Sequence, residues 1–262
     1  MFKINQLRKV KQVKSKFAAL VLYDKTFCNV AVEGGVDLVV VSDSVVMSLF
    51  GSKTTINATM DMMVAHTEAV AKSASSIMVV ADLPYMSYSN FEEARLNSAK
   101  LMKAGADMIK LEGSQDWVIE TVKHLTEYGI PVCAHIGLTP QFYHQIGGNK
   151  IMGRQDDEYQ RLLTSAKRLD AAGAEMIVLE CVPSILSKEI TESVNAVTLG
   201  AGAGVACDGQ VMLMYDLIGL SGKNIKFAKD YLIETNNIKQ AITNYTADVK
   251  SARFPTEEHS YQ

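Results

Sequence analysis

The chain has 262 residues, of which 48% are hydrophobic and 21% are charged, and its formal net charge is −3. This composition is typical of a soluble globular protein and gives no electrostatic support for a nucleic-acid partner. No apolar run approaches the roughly 20 residues that span a bilayer, and the basic N-terminal stretch lacks the apolar core of a signal peptide. We therefore expect a cytoplasmic protein with neither a nucleic-acid nor a membrane partner.

Short apolar runs alternate with longer helix-like stretches along most of the chain. The runs predict strands over Phe17–Leu22, Leu38–Val41, Ile77–Ala81, Met108–Leu111, Val132–His135, Met176–Leu179 and Ala196–Leu199. The intervening stretches predict helices over Phe27–Glu33, Met60–Lys72, Phe91–Lys103, Asp116–Glu127, Tyr159–Ala172, Ser184–Ser193 and Ile238–Lys250. The segments KAGADMIKLEG and AAGAEMIVLEC share one order, in which a helix end with a glycine precedes a buried strand.

Repeated strand–helix units with apolar strands indicate a parallel sheet that helices cover on both faces. Seven strands in this length favour an α/β fold of the (β/α)8 barrel type over an open, doubly wound sheet. The eighth strand has the weakest pattern, and we expect it near Leu213–Leu217. No linker or charge block divides the chain, so we expect residues 1–262 to form a single (β/α)8 barrel domain with an N-terminal helical extension.

Polar side chains stand at the ends of five of the predicted strands. They are, in chain order, Asp43, Asp82, Lys110, Glu112, His135 and Glu180. Because a barrel brings the carboxyl ends of its strands to one mouth, we expect these side chains to lie close together. Several carboxylates in one mouth repel each other without a cation, and oxygen ligands suit Mg²⁺. The sequence therefore predicts a magnesium site at the mouth of the barrel.

Each of these residues also has a structural interpretation. Asp43 and Asp82 could cap the helices that follow them. Glu112 could form a salt bridge in a loop, Lys110 could pair with a carboxylate, and Glu180 could have a structural role. A hydrogen-bonded core histidine is the favoured interpretation of His135. These alternatives lose weight together, because they do not explain why five strands end in this way on one rim.

Nine segments follow one another in the order of a known family, from about Tyr23 to His259. They read SDSVVM, ADLPYMSY, AGADMIKLEG, PVCAHIGLTPQ, GGNKIMGR, AAGAEMIVLECVP, GAGAGVACDGQV, KFAKDYL and FPTEEHS. In these segments the chain resembles the ketopantoate hydroxymethyltransferases. The resemblance implies a TIM barrel of the phosphoenolpyruvate/pyruvate type. It also implies transfer of a hydroxymethyl group from 5,10-methylenetetrahydrofolate to 3-methyl-2-oxobutanoate, giving 2-dehydropantoate for pantothenate biosynthesis.

The resemblance implies roles for individual residues of this chain. The carboxylates of its Mg²⁺ site are matched by Asp43, Asp82 and Glu112. Its oxoacid-binding positions are matched by Asp43, Ser44, Asp82 and Lys110. Glu180 matches its proton acceptor, so the implied reaction runs through an enolate that Mg²⁺ stabilises, with Glu180 as the base. The resemblance further implies small-molecule partners only, the oxoacid and the folate, and a homo-oligomer, commonly a decamer.

The segment around Asp43 departs from the family, and this leaves alternatives open. Ser42 and Val46 stand where the family has glycine, and Val46 would be strained if its position required a positive φ. One alternative is a Mg²⁺-dependent aldolase or lyase of 2-oxo acids on the same type of barrel, which would need no folate. Another is a diverged, non-catalytic copy that keeps the barrel.

Overall fold

Strands and helices alternate along the chain, and the strands close into a barrel. The computed structural model describes residues 1–222 and 225–262. The strands are β1 (Phe17–Val21), β2 (Leu38–Val41), β3 (Met78–Asp82), β4 (Met108–Glu112), β5 (Val132–Gly137), β6 (Met176–Glu180), β7 (Val197–Ala201) and β8 (Gly209–Leu213). The helices are α1 (Ile4–Val13), α2 (Lys25–Glu33), α3 (Val45–Phe50), α4 (Met60–Ala71), α5 (Phe91–Lys103), α6 (Asp116–Glu127), α7 (Tyr143–Ile146), α8 (Asp156–Ala171), α9 (Ser184–Ser193), α10 (Met214–Leu217), α11 (Leu232–Thr235) and α12 (Ile238–Lys250). Each strand pairs in parallel with the next, and β8 pairs with β1.

The closed barrel confirms the fold class predicted from the sequence. The predicted bounds of α5, α6, α9 and α12 agree with the structure. The strands β3 to β7 extend one or two residues further at their carboxyl ends than predicted. Asp82, Glu112 and Glu180 are therefore the last residues of strands, where the backbone ladder of the barrel holds them, rather than the first residues of loops.

The eighth strand, predicted near Leu213–Leu217, is wrong in position. It begins at Gly209 and ends at Leu213, and helix α10 follows it directly. The sequence of this strand does not form an apolar run, because it begins with glycine and contains Gln210. Tertiary contacts explain why these two residues occur in the strand. A Cβ at Gly209 would collide with the ring of Phe17. The buried side chain of Gln210 donates from Nε2 to a backbone carbonyl at 3.0 Å.

Helix α1 covers the amino-terminal end of the barrel. Its side chains Leu7 and Val10 join the apolar cluster that fills the barrel interior. Lysine and arginine residues at the start of the chain form ion pairs with acidic residues that precede β4, β6 and β8, namely Lys3 with Asp107, Arg8 with Glu175 and Lys11 with Asp208. Barrels of this kind have their active sites at the opposite, carboxyl-terminal mouth. None of the described helices is long and apolar enough to cross a membrane.

Gly137 ends β5 with a φ of 93°, directly beside the backbone that carries Glu180. A Cβ there would collide with the carbonyl oxygen of Glu180 and lie 2.8 Å from Cγ1 of Val182. We expect Gly137→Ala to lower the free energy of unfolding in urea by at least about 2 kcal/mol. Gly129→Ala is the control, because Gly129 has a φ of 77° and no atom within 4 Å of its Cβ position. Equal losses in the two variants would contradict the steric explanation.

Candidate active site

A cavity of about 1100 Å³ opens at the carboxyl-terminal mouth of the barrel. Its lining includes most of the residues that the sequence singled out, namely Asp43, Ser44, Lys110, Glu112, His135 and Glu180. The remaining one, Asp82, is fully buried beneath the cavity, with Oδ2 2.7 Å from Nζ of Lys110. The structure therefore brings all the residues expected at this site into one place.

Three carboxylates and one ammonium group are buried at the base of the cavity. Asp43, Asp82 and Glu112 are each at most 1% exposed, and Lys110 is 6% exposed. Nζ of Lys110 lies 2.7 Å from Oδ2 of Asp82 and 3.7 Å from Oε1 of Glu112. One cation facing three carboxylates leaves excess negative charge when all are ionised, and burial makes such charge costly.

This crowding of charges shifts the pKa values of the groups. Burial, together with the charges of Asp82 and Glu112, raises the pKa of Asp43 well above its usual range. Burial alone would lower the pKa of Lys110, but the surrounding carboxylates raise it above its usual value. Burial alone would raise the pKa of Glu112, but His135 and Lys110 outweigh it, so that this pKa is lowered. A further cation beside Asp43 would favour the ionised form of its carboxyl group.

The donor set at the base of the cavity fits a magnesium ion. Oδ1 of Asp82 is buried and has no hydrogen-bond partner among the described residues. Asp43 is its direct neighbour, since the backbone N–H of Asp43 donates to Oδ2 of Asp82 at 3.3 Å. Within residues 1–222 and 225–262, no three His, Cys, Asp or Glu side chains already converge on one metal position. Two neighbouring aspartates suit Mg²⁺, which usually takes one or two protein carboxylates and completes its shell with water and substrate.

Gln141 connects two of these carboxylates and was not recognised in the sequence. Its Nε2 donates to Oδ2 of Asp43 at 2.8 Å and to the carbonyl of Leu83 at 2.9 Å. Its backbone N–H donates to Oε2 of Glu112 at 3.0 Å, and its Oε1 accepts from the hydroxyl of Tyr88 at 2.6 Å. The only sequence signal was its position shortly after the fifth strand, where an uncharged amide does not stand out.

We expect Gln141→Leu to weaken Mg²⁺ binding by about tenfold, because Asp43 would lose the amide that orients it. Isothermal titration of Mg²⁺ measures the affinity, and thermal unfolding checks that the variant folds. Gln240→Leu, at an exposed position of α12, is the matched control and should bind Mg²⁺ as the unchanged protein does. An unaltered affinity in Gln141→Leu would contradict the orienting role.

Glu180 lies on the far side of this cluster, and His135 joins the two. Nδ1 of His135 is 3.4 Å from Oε1 of Glu112, and Nε2 is 3.2 Å from Oε2 of Glu180, although neither contact has hydrogen-bond geometry. Burial alone would lower the pKa of His135, but Glu112 and Glu180 raise it to about 9. The side chain of Glu180 is 21% exposed, so it is the accessible carboxylate among those described at this site. An accessible carboxylate on a cavity wall can exchange a proton with a bound molecule.

The segment that departs from the family pattern forms regular structure. Val45 and Val46 begin helix α3 and are at most 2% exposed. Val46 is not among the described residues that have a positive φ, so the strain considered for its β-branched side chain does not arise. The hydroxyl of Ser44 shares a hydrogen bond of 2.7 Å with the hydroxyl of Tyr23 and faces the cavity.

Comparison with known proteins identifies relatives over nearly the full chain. A family model for ketopantoate hydroxymethyltransferase matches residues 1–257. A 3-methyl-2-oxobutanoate hydroxymethyltransferase of Marinobacter nauticus is 45% identical over 260 residues, which cover 99% of this chain and 98% of the relative. The enzyme of the same name from Escherichia coli O157:H7 is 45% identical over 259 residues, with 98% of each chain covered.

Solved structures with lower identity share the fold. A 2,3-dimethylmalate lyase of the PEP mutase/isocitrate lyase superfamily has a TM-score of 0.64 and 14% identity, with 97% of both chains covered. A phosphonopyruvate hydrolase, solved with oxalate and Mg²⁺, has a TM-score of 0.63 and 14% identity, covering 99% of this chain and 93% of the other. At 14% identity these similarities support the barrel fold. The family itself follows from the match over residues 1–257 and from the 45% identity, and the chain is an enzyme of the ketopantoate hydroxymethyltransferase family.

Proposed function

We propose that this enzyme transfers a hydroxymethyl group from 5,10-methylenetetrahydrofolate to 3-methyl-2-oxobutanoate, giving 2-dehydropantoate for pantothenate biosynthesis. The observation that carries the proposal is the arrangement at the base of the cavity. Two neighbouring buried aspartates lie beside a buried lysine, and Oδ1 of Asp82 has no partner among the described residues. An accessible glutamate faces the same space. Membership of the family supports the same reaction.

The polar base of the cavity suits a 2-oxo acid, whose carboxylate and keto oxygens are adjacent and can share one cation. Asp43 and Asp82 would hold Mg²⁺, and Glu112 would add a third negative charge to the site. When bound, Mg²⁺ would supply Lewis-acid stabilisation of the negative charge that develops on the keto oxygen. Lys110 would add fixed positive charge beside the same oxygens, and the hydroxyl of Ser44 would donate to the substrate carboxylate.

Glu180 would remove the proton from C3 of the oxoacid, because its carboxylate is accessible from the cavity. The electron pair of the broken C–H bond would form the enolate, and C3 would then form a carbon–carbon bond to the one-carbon unit. Both C–N bonds of the methylene bridge break overall, and water supplies the hydroxyl oxygen. The C3 proton and one proton of that water end on the two folate nitrogens, so that atoms and charges balance.

The decisive experiment is an assay of 2-dehydropantoate formation from the oxoacid, 5,10-methylenetetrahydrofolate and Mg²⁺. We expect turnover that requires all three and that a chelator abolishes. Consumption of the oxoacid without folate would favour the aldolase or lyase alternative, which no observation at the site favours specifically. Intact oxoacid binding without turnover or C3 proton exchange would contradict the proposal.

A further inference from the structure

The cavity is larger than a small branched-chain oxoacid requires. Pockets of about 300–1,000 Å³ commonly enclose drug-sized ligands, and this one measures about 1100 Å³. The polar base accounts for the oxoacid alone. The upper part of the cavity, toward the rim, therefore has room for a second and larger molecule.

One wall of the cavity is aromatic and includes the C-terminal segment. Tyr261 and Phe227 both line the cavity, and their rings meet edge to face with centroids 6.4 Å apart. Nζ of Lys226 lies 5.2 Å from the centroid of the Tyr261 ring. Tyr261, Cys181 and the proposed base Glu180 line the same cavity.

Contacts with residues that follow the barrel strands hold the aromatic wall in place. The backbone of Tyr261 forms a parallel bridge with Pro183, and its carbonyl accepts from the N–H of Ser184 at 2.9 Å. Phe227 packs against Gly202, where a Cβ would come within 2.9 Å of its ring. Both contacts are made just beyond the ends of β6 and β7, so the position of the wall relative to the proposed base is set by neighbouring strands.

The chemistry of the transfer requires a second ligand at this place. The carbon that loses its proton to Glu180 is the carbon that attacks the one-carbon unit, so the donor must approach the oxoacid close to Glu180. A reduced folate carries this unit on nitrogens next to a flat ring system, and flat rings pack favourably against aromatic side chains. On the basis of the proposed function, we infer that the wall formed by Tyr261 and Phe227 binds the ring system of the one-carbon donor.

The rim of the cavity is suited to the other end of such a donor. Among the described residues, three exposed lysines line the cavity, namely Lys53, Lys150 and Lys226. The glutamate tail of a folate carries carboxylates, which positive charges at a cavity mouth attract. A donor with its ring on the aromatic wall and its tail at the rim would leave the polar base to the oxoacid.

Calorimetric binding of tetrahydrofolate, with Mg²⁺ and oxoacid present, tests the inference. We expect Tyr261→Ala to weaken this binding by about tenfold, the loss that one aromatic contact accounts for. Tyr261→Phe keeps the ring and should bind as the unchanged protein does. Tyr128→Ala removes a tyrosine that is 62% exposed at the end of α6, and this control should have no effect. Phe227→Leu should weaken binding as well and covers the case in which Tyr261→Ala fails to fold.

Unchanged tetrahydrofolate binding in both Tyr261→Ala and Phe227→Leu would overturn the inference. An equal loss in Tyr261→Phe and Tyr261→Ala would also overturn it, because the hydroxyl rather than the ring would then be responsible. Exchange of the C3 proton into D2O needs no donor and reports on the proposed function separately. If the unchanged protein lacks this exchange, the proposed function fails; if exchange is normal and the two variants bind tetrahydrofolate normally, only the donor site fails.

Discussion

Replacing Glu180 with Gln is expected to stop exchange of the C3 proton of 3-methyl-2-oxobutanoate into D2O and to slow the transfer by about 100- to 10,000-fold. The amide has the size of the carboxylate but cannot accept the proton. Oxoacid binding should persist, because the cluster of Lys110 with Asp82 and Asp43 is untouched. Proton NMR of the oxoacid in D2O measures the exchange, and calorimetry measures the binding.

Glu192→Gln is the matched control for this variant. Glu192 lies exposed in the last turn of α9, the helix that follows the strand of Glu180, so the same change is made in the same strand–helix unit but outside the cavity. It should exchange the proton and turn over at the rate of the unchanged protein. Normal exchange in Glu180→Gln would exclude this residue as the base, and the accessible group would have to act in another role.

Replacing Asp82 with Asn is expected to weaken the binding of Mg²⁺ and of the oxoacid together, each by about 100-fold or more. The buried Oδ1 of Asp82 has no partner in the described structure, and Oδ2 binds Nζ of Lys110. Asparagine keeps the size of the side chain and an acceptor for Lys110, but it removes one of the negative charges that a divalent cation would offset. We expect the affinities for Mg²⁺ and for the oxoacid to fall together, because the oxoacid and the protein bind the same cation.

Titration calorimetry with Mg²⁺, with and without the oxoacid, measures both affinities. Asp107→Asn is the control, because Asp107 forms its ion pair with Lys3 at the opposite end of the barrel. Loss of the ion pair should at most make this variant unfold more easily than the unchanged protein, and its affinities for Mg²⁺ and the oxoacid should be unchanged. If Asp82→Asn also bound both ligands normally, Asp82 would have to be a structural partner of Lys110 and no part of the metal site.

Most of the barrel was predictable because parallel strands covered on both faces are apolar along their whole length. The strand β2 was predicted with its observed bounds for this reason, since all of Leu38–Val41 is buried. The strand β8 was not, because Gly209 and Gln210 break the apolar pattern. The place of Gly209 depends on Phe17, which is distant in sequence, and that of Gln210 depends on the carbonyl of Gly204 in the preceding loop, which no local pattern shows.

The candidate site was predictable to the extent that it consists of charged residues in apolar surroundings. Asp43, Asp82 and Glu112 stand out because a charge at the end of a buried strand needs a partner. Gln141 and Tyr88 did not stand out, because an amide and a hydroxyl are common at the surface as well as inside. Only the hydrogen bonds that converge on Asp43 and Glu112 show their positions in the site.

The class of fold and the charged residues of the barrel mouth can be read from the amino-acid sequence, because both follow from local patterns and from the shared direction of the strands. The differences among those charged residues arise from the packing of the folded chain. Glu180 is 21% exposed while Asp82 and Glu112 are buried with Lys110 between them. Burial and distance between charges depend on how β3, β4 and β6 pack around one cavity, and no short segment of the chain contains that information.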